Sequence, residues 1–498
     1  MVSRGSVASQ CRGKSTGRPD GPEATLTGVL ARTLAALSVL AAAVTLAAAP
    51  HAARSSAAPY VAPAGSGVLF LLSGHGWGHG VGMGQWGAQG YAQQGYTYDQ
   101  ILAAYYPGTT FGQTTASSIR VLLVDAKGSL AISSGQPMTV EDGDGIDHTL
   151  GAGKTTLTPA LELAVDGGSS QALTPPLTFS PAAGSKLKLG RAYRGQIVVD
   201  VVTGKLRAIN VLPLEQYLYG VVPAEEPSSW LPAALDAQAV AARSYALASR
   251  RAAAPFDVYA DGRSQAYLGV SAEKPTATQA VNETSGEVLF FGSHVADTLF
   301  SSSTGGLTQS AADAFGSAGK PYLVSVKDPF DGISPYHDWG PVAVTAKTLG
   351  QILHVTGRIL DATVTRNTSK RVRTIKVTAL ARGKQSTTAV AGGFTASALS
   401  LRSTWFSVGV LSLQPPSPSP PVASGARVLL SGVVRGVRGV VVQQRSAGTP
   451  WTQFKRIAPA AKSGAFRLVV RPSATTDYRL ATTRDAAAYV RIRVTPSG

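Results

Sequence analysis

Cysteine is nearly absent: 498 residues contain one, Cys11, and it lies in the extreme N-terminal segment. A disulfide framework and a thiolate metal centre are therefore excluded from the rest of the chain. Phosphate-binding and calcium-binding loops are missing as well. Gly153-Lys154-Thr155 has His148 where the first glycine of a phosphate loop would stand. Glu141 to Asp147 is rich in Asp and Gly, but its glycine and distal Glu are out of register for calcium. Both stretches are expected to be hairpin turns. No nucleic-acid motif accompanies the Lys and Arg residues, no Gly-x-Ser-x-Gly elbow surrounds any serine, and no cofactor is implied.

What the chain does have begins with an N-terminal export signature. Arg4, Arg12, Lys14, Arg18 and Arg32 precede an Ala/Leu-rich stretch, Thr33 to Ala49, and small residues then run to Ala58. Residues 1–58 read as a signal peptide or export segment, and a membrane contact is expected only if that segment stays uncleaved. Without it the net charge falls from +17 to +13, a balance that suits anionic partners such as cell-wall polymers. At this length two or three domains are expected.

The stretch from Tyr217 to Ala248 organises the remainder. Tyr217 to Val222 reads as a short buried strand, and Pro223 and Pro227 bracket Glu225 and Glu226 in a constrained turn. Ser228 or Ser229 is expected to cap a helix with Pro232 in its first turn. Leu231, Leu235, Ala239, Ala242 and Ala246 would give that helix a narrow apolar stripe. The two carboxylates can serve chemistry at a cleft edge, or simply favour the positive end of the helix.

This wording resembles the signature of the SpoIID/LytB family of cell-wall proteins. The matching residues are Tyr217-Leu218, Gly220-Val221-Val222, Glu225, Pro227, Trp230, Ala237 to Arg243, and Tyr245-Ala246. Asp236 replaces the usual Lys, and Glu226 the usual Met. A second family hallmark is similar to Ser73 to Ala92, SGHGWGHGVGMGQWGAQGYA. Here Gly84 replaces a Ser, and the motif precedes the Glu motif instead of following it. Alternate glycines from Gly74 to Gly84 suit a loop whose backbone approaches a ligand, and the indoles of Trp77 and Trp86 suit sugar rings. His75 and His79 have metal-like spacing, but the glycines argue against the helix that spacing needs, so no metal site is expected.

Further resemblances lie at Gln265 to Gly269, at Leu299 to Thr308, at Tyr322 to Trp339 with Asp328, Asp331 and His337, and at Leu399 to Val408. Ser301, Ser302 and Ser303 are expected to line a cleft and not to act as nucleophiles. Asp328, Asp331 and His337 read as a structural turn or as substrate contacts. The resemblance implies a β-rich α+β catalytic domain over residues 59–410 with a central amphipathic helix. A Pro/Ser linker at 411–424 and a small all-β sandwich at 425–498 would follow.

The resemblance also implies a function, an extracytoplasmic lytic transglycosylase acting on peptidoglycan glycan strands. Glu225 would act as acid and then as base. Its raised pKa would come from burial or from the charge of Glu226, opposed by a helix N-terminus. His75, Trp77, His79, Trp86, Gln238, Arg243, Tyr267, Ser302 and Ser303 are the candidate substrate-binding residues, with Arg243 alternatively holding the turn. The competing implication is a non-enzymatic glycan-binding enhancer of a wall amidase.

Overall fold

Alternating β-prone runs between Thr97 and Leu212 fold as antiparallel strands. The computed structural model describes residues 60, 62, 67–250, 253–316 and 319–495, so the export segment and Cys11 lie outside the described residues. In Gln196–Val202 the side chains of Ile197 and Val199 point inward while their neighbours stay more exposed, the period-2 pattern of a half-buried strand. This strand lies inside a seven-stranded sheet. Its order is Val258–Tyr259, Ser118–Lys127, Lys205–Pro213, Gln196–Val202, Leu177–Pro181, Met138–Glu141, Asp147–Leu150. The acidic loop at its edge is a hairpin turn, in which Asp142 Oδ1 accepts from the amides of Asp144 and Ile146 at 3.0 Å.

Against this sheet packs a helix where a strand was expected. Leu214–Glu225 is helical throughout, because Leu214, Tyr217, Leu218, Val221 and Val222 recur at helical spacing, and all five are buried. Pro223 falls in its last turn. Glu226 then turns extended, at φ −129° and ψ 151°, the conformation a following proline favours.

The next helix, Pro232–Ala248, does begin with proline in the first turn. Neither Ser228 nor Ser229 caps it: Leu231 holds the cap position, and its amide donates instead to Gln89 Oε1 at 3.0 Å. The helix is also buried more widely than a single stripe. Leu235, Ala239, Ala242 and Ala246 join the core beneath the seven-stranded sheet, while Ala234, Ala237, Val240 and Ala241 join a second core. Leu231 stays 40% exposed and belongs to neither. A helix apolar on two faces becomes a partition between two cores.

The strand Leu69–His75 carries the glycine-rich motif into this arrangement. It pairs on one side with Asp338–Thr345 and on the other with Phe406–Leu413. The same sheet continues through Val428–Arg435 to Ala465–Val470. The Pro/Ser stretch is extended but lies against that sheet, with Ser417 and Leu429 exchanging both backbone hydrogen bonds. Beyond it, Thr452–Arg456, Val441–Ser446, Thr476–Ala481 and Val490–Ile492 form a four-stranded sheet. It shares one core with Leu69 and Leu71. A three-stranded meander of Arg358–Arg366, Val372–Ala381 and Lys384–Ala391 completes the chain. Strand exceeds helix by about two to one, 40% against 19%, so the chain is a β-rich α+β protein.

Candidate active site

Glu225 is the last residue of its helix, and its carboxylate takes a 2.6 Å hydrogen bond from the amide of Ala266. Burial raises its pKa from 4.5 to about 7, against the pull of that amide. The helix contributes at its C-terminal end, where the dipole also disfavours a carboxylate. The expectation of an opposing helix N-terminus is thus corrected, because the preceding segment is a helix and not a strand. Glu226 is only 2% exposed, and neither carboxylate oxygen has a partner. Burial and then the Glu225 charge push its pKa well above the ordinary range, so it remains protonated. The rise at Glu225 comes from burial.

The glycine-rich motif meets this turn despite its early place in the chain. Gln85 Nε2 donates to the Glu225 carbonyl at 3.2 Å, and the Trp86 ring lies 4.9 Å from Trp230 in an edge contact. The Trp86 amide donates to the Ser302 carbonyl at 3.0 Å, which continues the wall of the site. The glycines face protein, contrary to the expectation of a ligand-facing loop. A Cβ on Gly80 would sit 1.9 Å from Arg371 Nη2, and one on Gly82 would sit 1.9 Å from the Leu299 carbonyl oxygen. Both have positive φ, +69° and +71°, which glycine alone adopts cheaply.

A second polar hub adjoins the first. Asp331, fully buried, accepts from Ser303 Oγ at 2.8 Å and from the amides of Thr304 and Gly305, and pairs with His337 Nδ1 at 2.8 Å. Ser303 is committed to this carboxylate and buried, so it is a structural hydroxyl; Ser302 offers its carbonyl to Trp86. Nearby Asp328 is pushed up to about 7 by burial and then by Asp331. Trp77 pairs with Ser303 through backbone hydrogen bonds, and its ring lies 4.3 Å from Tyr336, with the Arg402 guanidinium over both. His75 faces Asp338 at 2.6 Å and packs at a tilt against Trp405, with ring centres 4.8 Å apart. His79 Nδ1 accepts from the Val81 amide, and burial followed by the Arg371 charge lowers it to about 4, so it is neutral. The two histidines thus turn to different partners, and no group of three or more potential ligands could hold a metal among the described residues.

Three other candidates are internal. Arg243 is wholly buried; its fork holds Glu215 at 2.9 and 2.6 Å and reaches the carbonyls of Glu287 and Val281. It ties the start of one helix to the strand and helix behind it and has no path to a substrate anion. Tyr267 is 3% exposed, donates to Asn210 Oδ1 at 2.8 Å, and packs on Tyr217. Gln238 is completely buried, and both ends of its amide lack a partner. Contact with substrate from any of these three is corrected to support from behind. The Ala266 amide, Gln85 and Trp230 are not among the site residues to which the sequence points. Gln85 and Trp230 lie inside the quoted motifs, whereas a backbone amide leaves no residue-type signal. Two surface hollows, about 390 Å³ beside Phe466 and about 290 Å³ beside Arg194, lie away from Glu225.

Residues 202–291 match the family model described as SpoIID, Stage II sporulation protein. Stage II sporulation protein D of Bacillus subtilis (strain 168) is 32% identical over 146 residues, which cover 26% of this chain and 42% of that relative. An amidase enhancer of the same organism is 39% identical over 114 residues, covering 23% of this chain and 15% of the relative. An uncharacterised protein of Brachyspira hyodysenteriae is 36% identical over 140 residues, covering 28% and 38%. The chain thus spans less than half the length of each of these relatives. The family match takes in Glu225, Glu226, the Pro232–Ala248 helix and Tyr267, while the His75–Trp86 motif and Ser302–Ser303 lie outside it. Residues 202–291, which include Glu225, are thus a SpoIID-family segment.

Proposed function

We propose that the protein is an exported cell-wall enzyme that cleaves peptidoglycan glycan strands as a lytic transglycosylase, with Glu225 as its single catalytic residue. The observation that carries this reading is the Glu225 carboxyl, raised to about 7 by burial and held by the Ala266 amide within the family segment. A carboxyl of that pKa is divided between acid and carboxylate at neutral pH, which suits a group that must play both parts. The acid form protonates the glycosidic oxygen as the C1–O bond breaks. The resulting carboxylate then takes the proton of the sugar's C6 hydroxyl while that oxygen bonds to C1, which closes a 1,6-anhydro ring without water. Glu225 ends the cycle protonated. Ordinary glycosidases need a second carboxylate to act as base or nucleophile. Glu226, buried and protonated, is unsuited to that role and instead adds to the apolar character of the wall behind Glu225. Trp77, with Tyr336 and Arg402, and Trp86, with Trp230, would hold sugar rings to either side.

The second reading, a glycan-binding enhancer of a wall amidase, is favoured by the 39% identity to a protein named amidase enhancer. Mass spectrometry of purified glycan strands incubated with the protein separates the two. Anhydro-muramyl ends that disappear with Glu225→Gln and persist with Glu226→Gln support the transglycosylase. Reducing ends would mean hydrolysis by a different set of groups, and intact strands that still bind would transfer the role to the enhancer.

A further inference from the structure

Charge is distributed very unevenly along the chain. Residues 425–498 hold thirteen Lys and Arg against Asp477 and Asp485, a net +11 of the chain's +17, whereas residues 59–424 contribute only +2. So dense a positive charge works against compactness unless something anionic answers it.

Part of this charge is built into one face of the C-terminal four-stranded sheet. Across its strands Gln443 stands opposite Arg479, Arg445 opposite Asp477, and Asp477 opposite Arg491, so these side chains share one face. Val442, Leu480 and Ile492 occupy the other, buried face. Asp477 lies beneath the arginines and accepts from Arg445 Nε at 3.2 Å and from Arg491 Nε at 2.7 Å. Arg479 Nε donates to Gln443 Oε1 at 2.8 Å. The guanidinium of Arg445 lies 4.5 Å from the Trp451 ring centre and that of Arg479 4.1 Å, while Tyr489 lies 5.3 Å from Arg445 and 5.6 Å from Arg491. The ordering contacts use the Nε edges and flat faces of Arg445 and Arg479. Their terminal nitrogens have no hydrogen-bond partner among the described residues and remain available to a ligand.

We infer that this face docks a wall polymer whose repeated charges are phosphodiesters. Arg445 and Arg479 stand diagonally on neighbouring strands, about 7–8 Å apart, and Arg491 lies one strand further on, a spread that matches a row of anions better than a single small ion. Their rotamers are already fixed by the aromatic rings, so little side-chain entropy is lost when the forks engage oxyanions. Nucleic acid fits less well, because guanidiniums already occupy the ring faces on which bases would stack. The face lies outside residues 202–291 and does not depend on any chemistry at Glu225.

The test is co-sedimentation of the full-length protein with purified wall sacculi over a salt series, using intact sacculi and sacculi stripped of phosphodiester polymers by acid. Arg445→Gln/Arg479→Gln, which leaves Arg491 to hold Asp477, is expected to bind about ten-fold more weakly and with a shallower salt dependence. The control Arg438→Gln/Lys462→Gln removes the same charge from exposed loop positions and is expected to bind within about two-fold of wild type. Binding lost on stripping supports the inference, and binding retained, which would rest on wall carboxylates, would overturn it. If the double variant does not fold, Arg479→Gln alone, whose side chain bonds only Gln443, should give a graded loss. Equal weakening by both double variants would overturn the assignment of this face. Unchanged binding by Arg445→Gln/Arg479→Gln, or tighter binding of single-stranded DNA than of sacculi, would overturn it too.

Discussion

Replacing Glu225 with Gln should make the protein more stable above neutral pH while abolishing any strand cleavage. Burial raises the Glu225 pKa from 4.5 in an exposed state to about 7 in the fold. A carboxyl whose folded value is raised contributes stability that is fully present below about 4.5 and is lost as pH rises through about 7. Over that interval the native state carries more protons than the unfolded chain, so stability falls with pH. The shift corresponds to about 3 kcal/mol once both values are passed. The amide of Gln keeps an oxygen to accept from Ala266 and never ionises, so it escapes this cost. It also removes the Glu225 charge that helps to raise Glu226. Urea unfolding at pH 5, 6, 7 and 8 is the assay. The two proteins should lie close together at pH 5 and diverge by up to about 3 kcal/mol at pH 8, with the variant above. Asp236 and Asp328, also pushed up to about 7, tilt both curves alike and cancel in the difference. Parallel curves, or a variant weaker than wild type at pH 8, would refute the reasoning that Glu225 is a buried carboxyl held against its charge.

Arg243→Met should cost about 3–5 kcal/mol, because it leaves Glu215 with the Gly286 amide in place of a charged partner and takes the guanidinium donor from two carbonyls; a urea midpoint unchanged from wild type would contradict the internal role. Gly82→Ala should destabilise by roughly 2–4 kcal/mol, since its Cβ meets the Leu299 oxygen at a left-handed φ, and differential scanning calorimetry reads the loss. Asp331→Asn keeps one acceptor but loses the charge shared by Ser303, His337 and two amides, at about 1–3 kcal/mol. Hydrogen exchange should then show the Thr304 and Gly305 amides opening first.

Much of this architecture was legible because the relevant signals are local. Strands such as Ile119–Val124 and Ile197–Val202 announce themselves as β-prone runs between turn residues, and Pro232 marks a helix start. The helix Leu214–Glu225 resembles a strand in sequence because its Val pair is β-prone, whereas the helical recurrence of Leu214, Leu218 and Val222 is what its burial follows. The meander of residues 358–391 has no clear sequence signal, since threonine-rich strands such as Lys384–Ala391, exposed over most of their length, carry little hydrophobic contrast. At the site, residue types pointed to Glu225 and Trp86. The roles of Arg243, Tyr267 and Gln238 depend on burial, and polarity alone does not separate a buried tie from a cleft residue. Long-range placement, such as the Ala266 amide on Glu225, has no signature in the sequence at all.

The position of Leu69–His75 between two late strands has a consequence for how the chain folds. One of its edges pairs with residues 406–411, more than three hundred positions onward, so this sheet closes only after nearly the whole chain has been synthesised. Contacts of such separation in sequence slow folding, because a large loop must close before they form. Until residues 338–345 are made the first strand has two unpaired edges beside the Leu69, Phe70, Leu71 and Leu72 side chains, and until residues 406–411 follow it still has one, a hazard for association between chains. A protein released before residue 406 would lack the partner for one of those edges. A new chain start placed between residues 405 and 406, with the old ends joined by a linker long enough to span them, would cut the separation of the two strands to roughly half its natural value and should fold faster than the natural order.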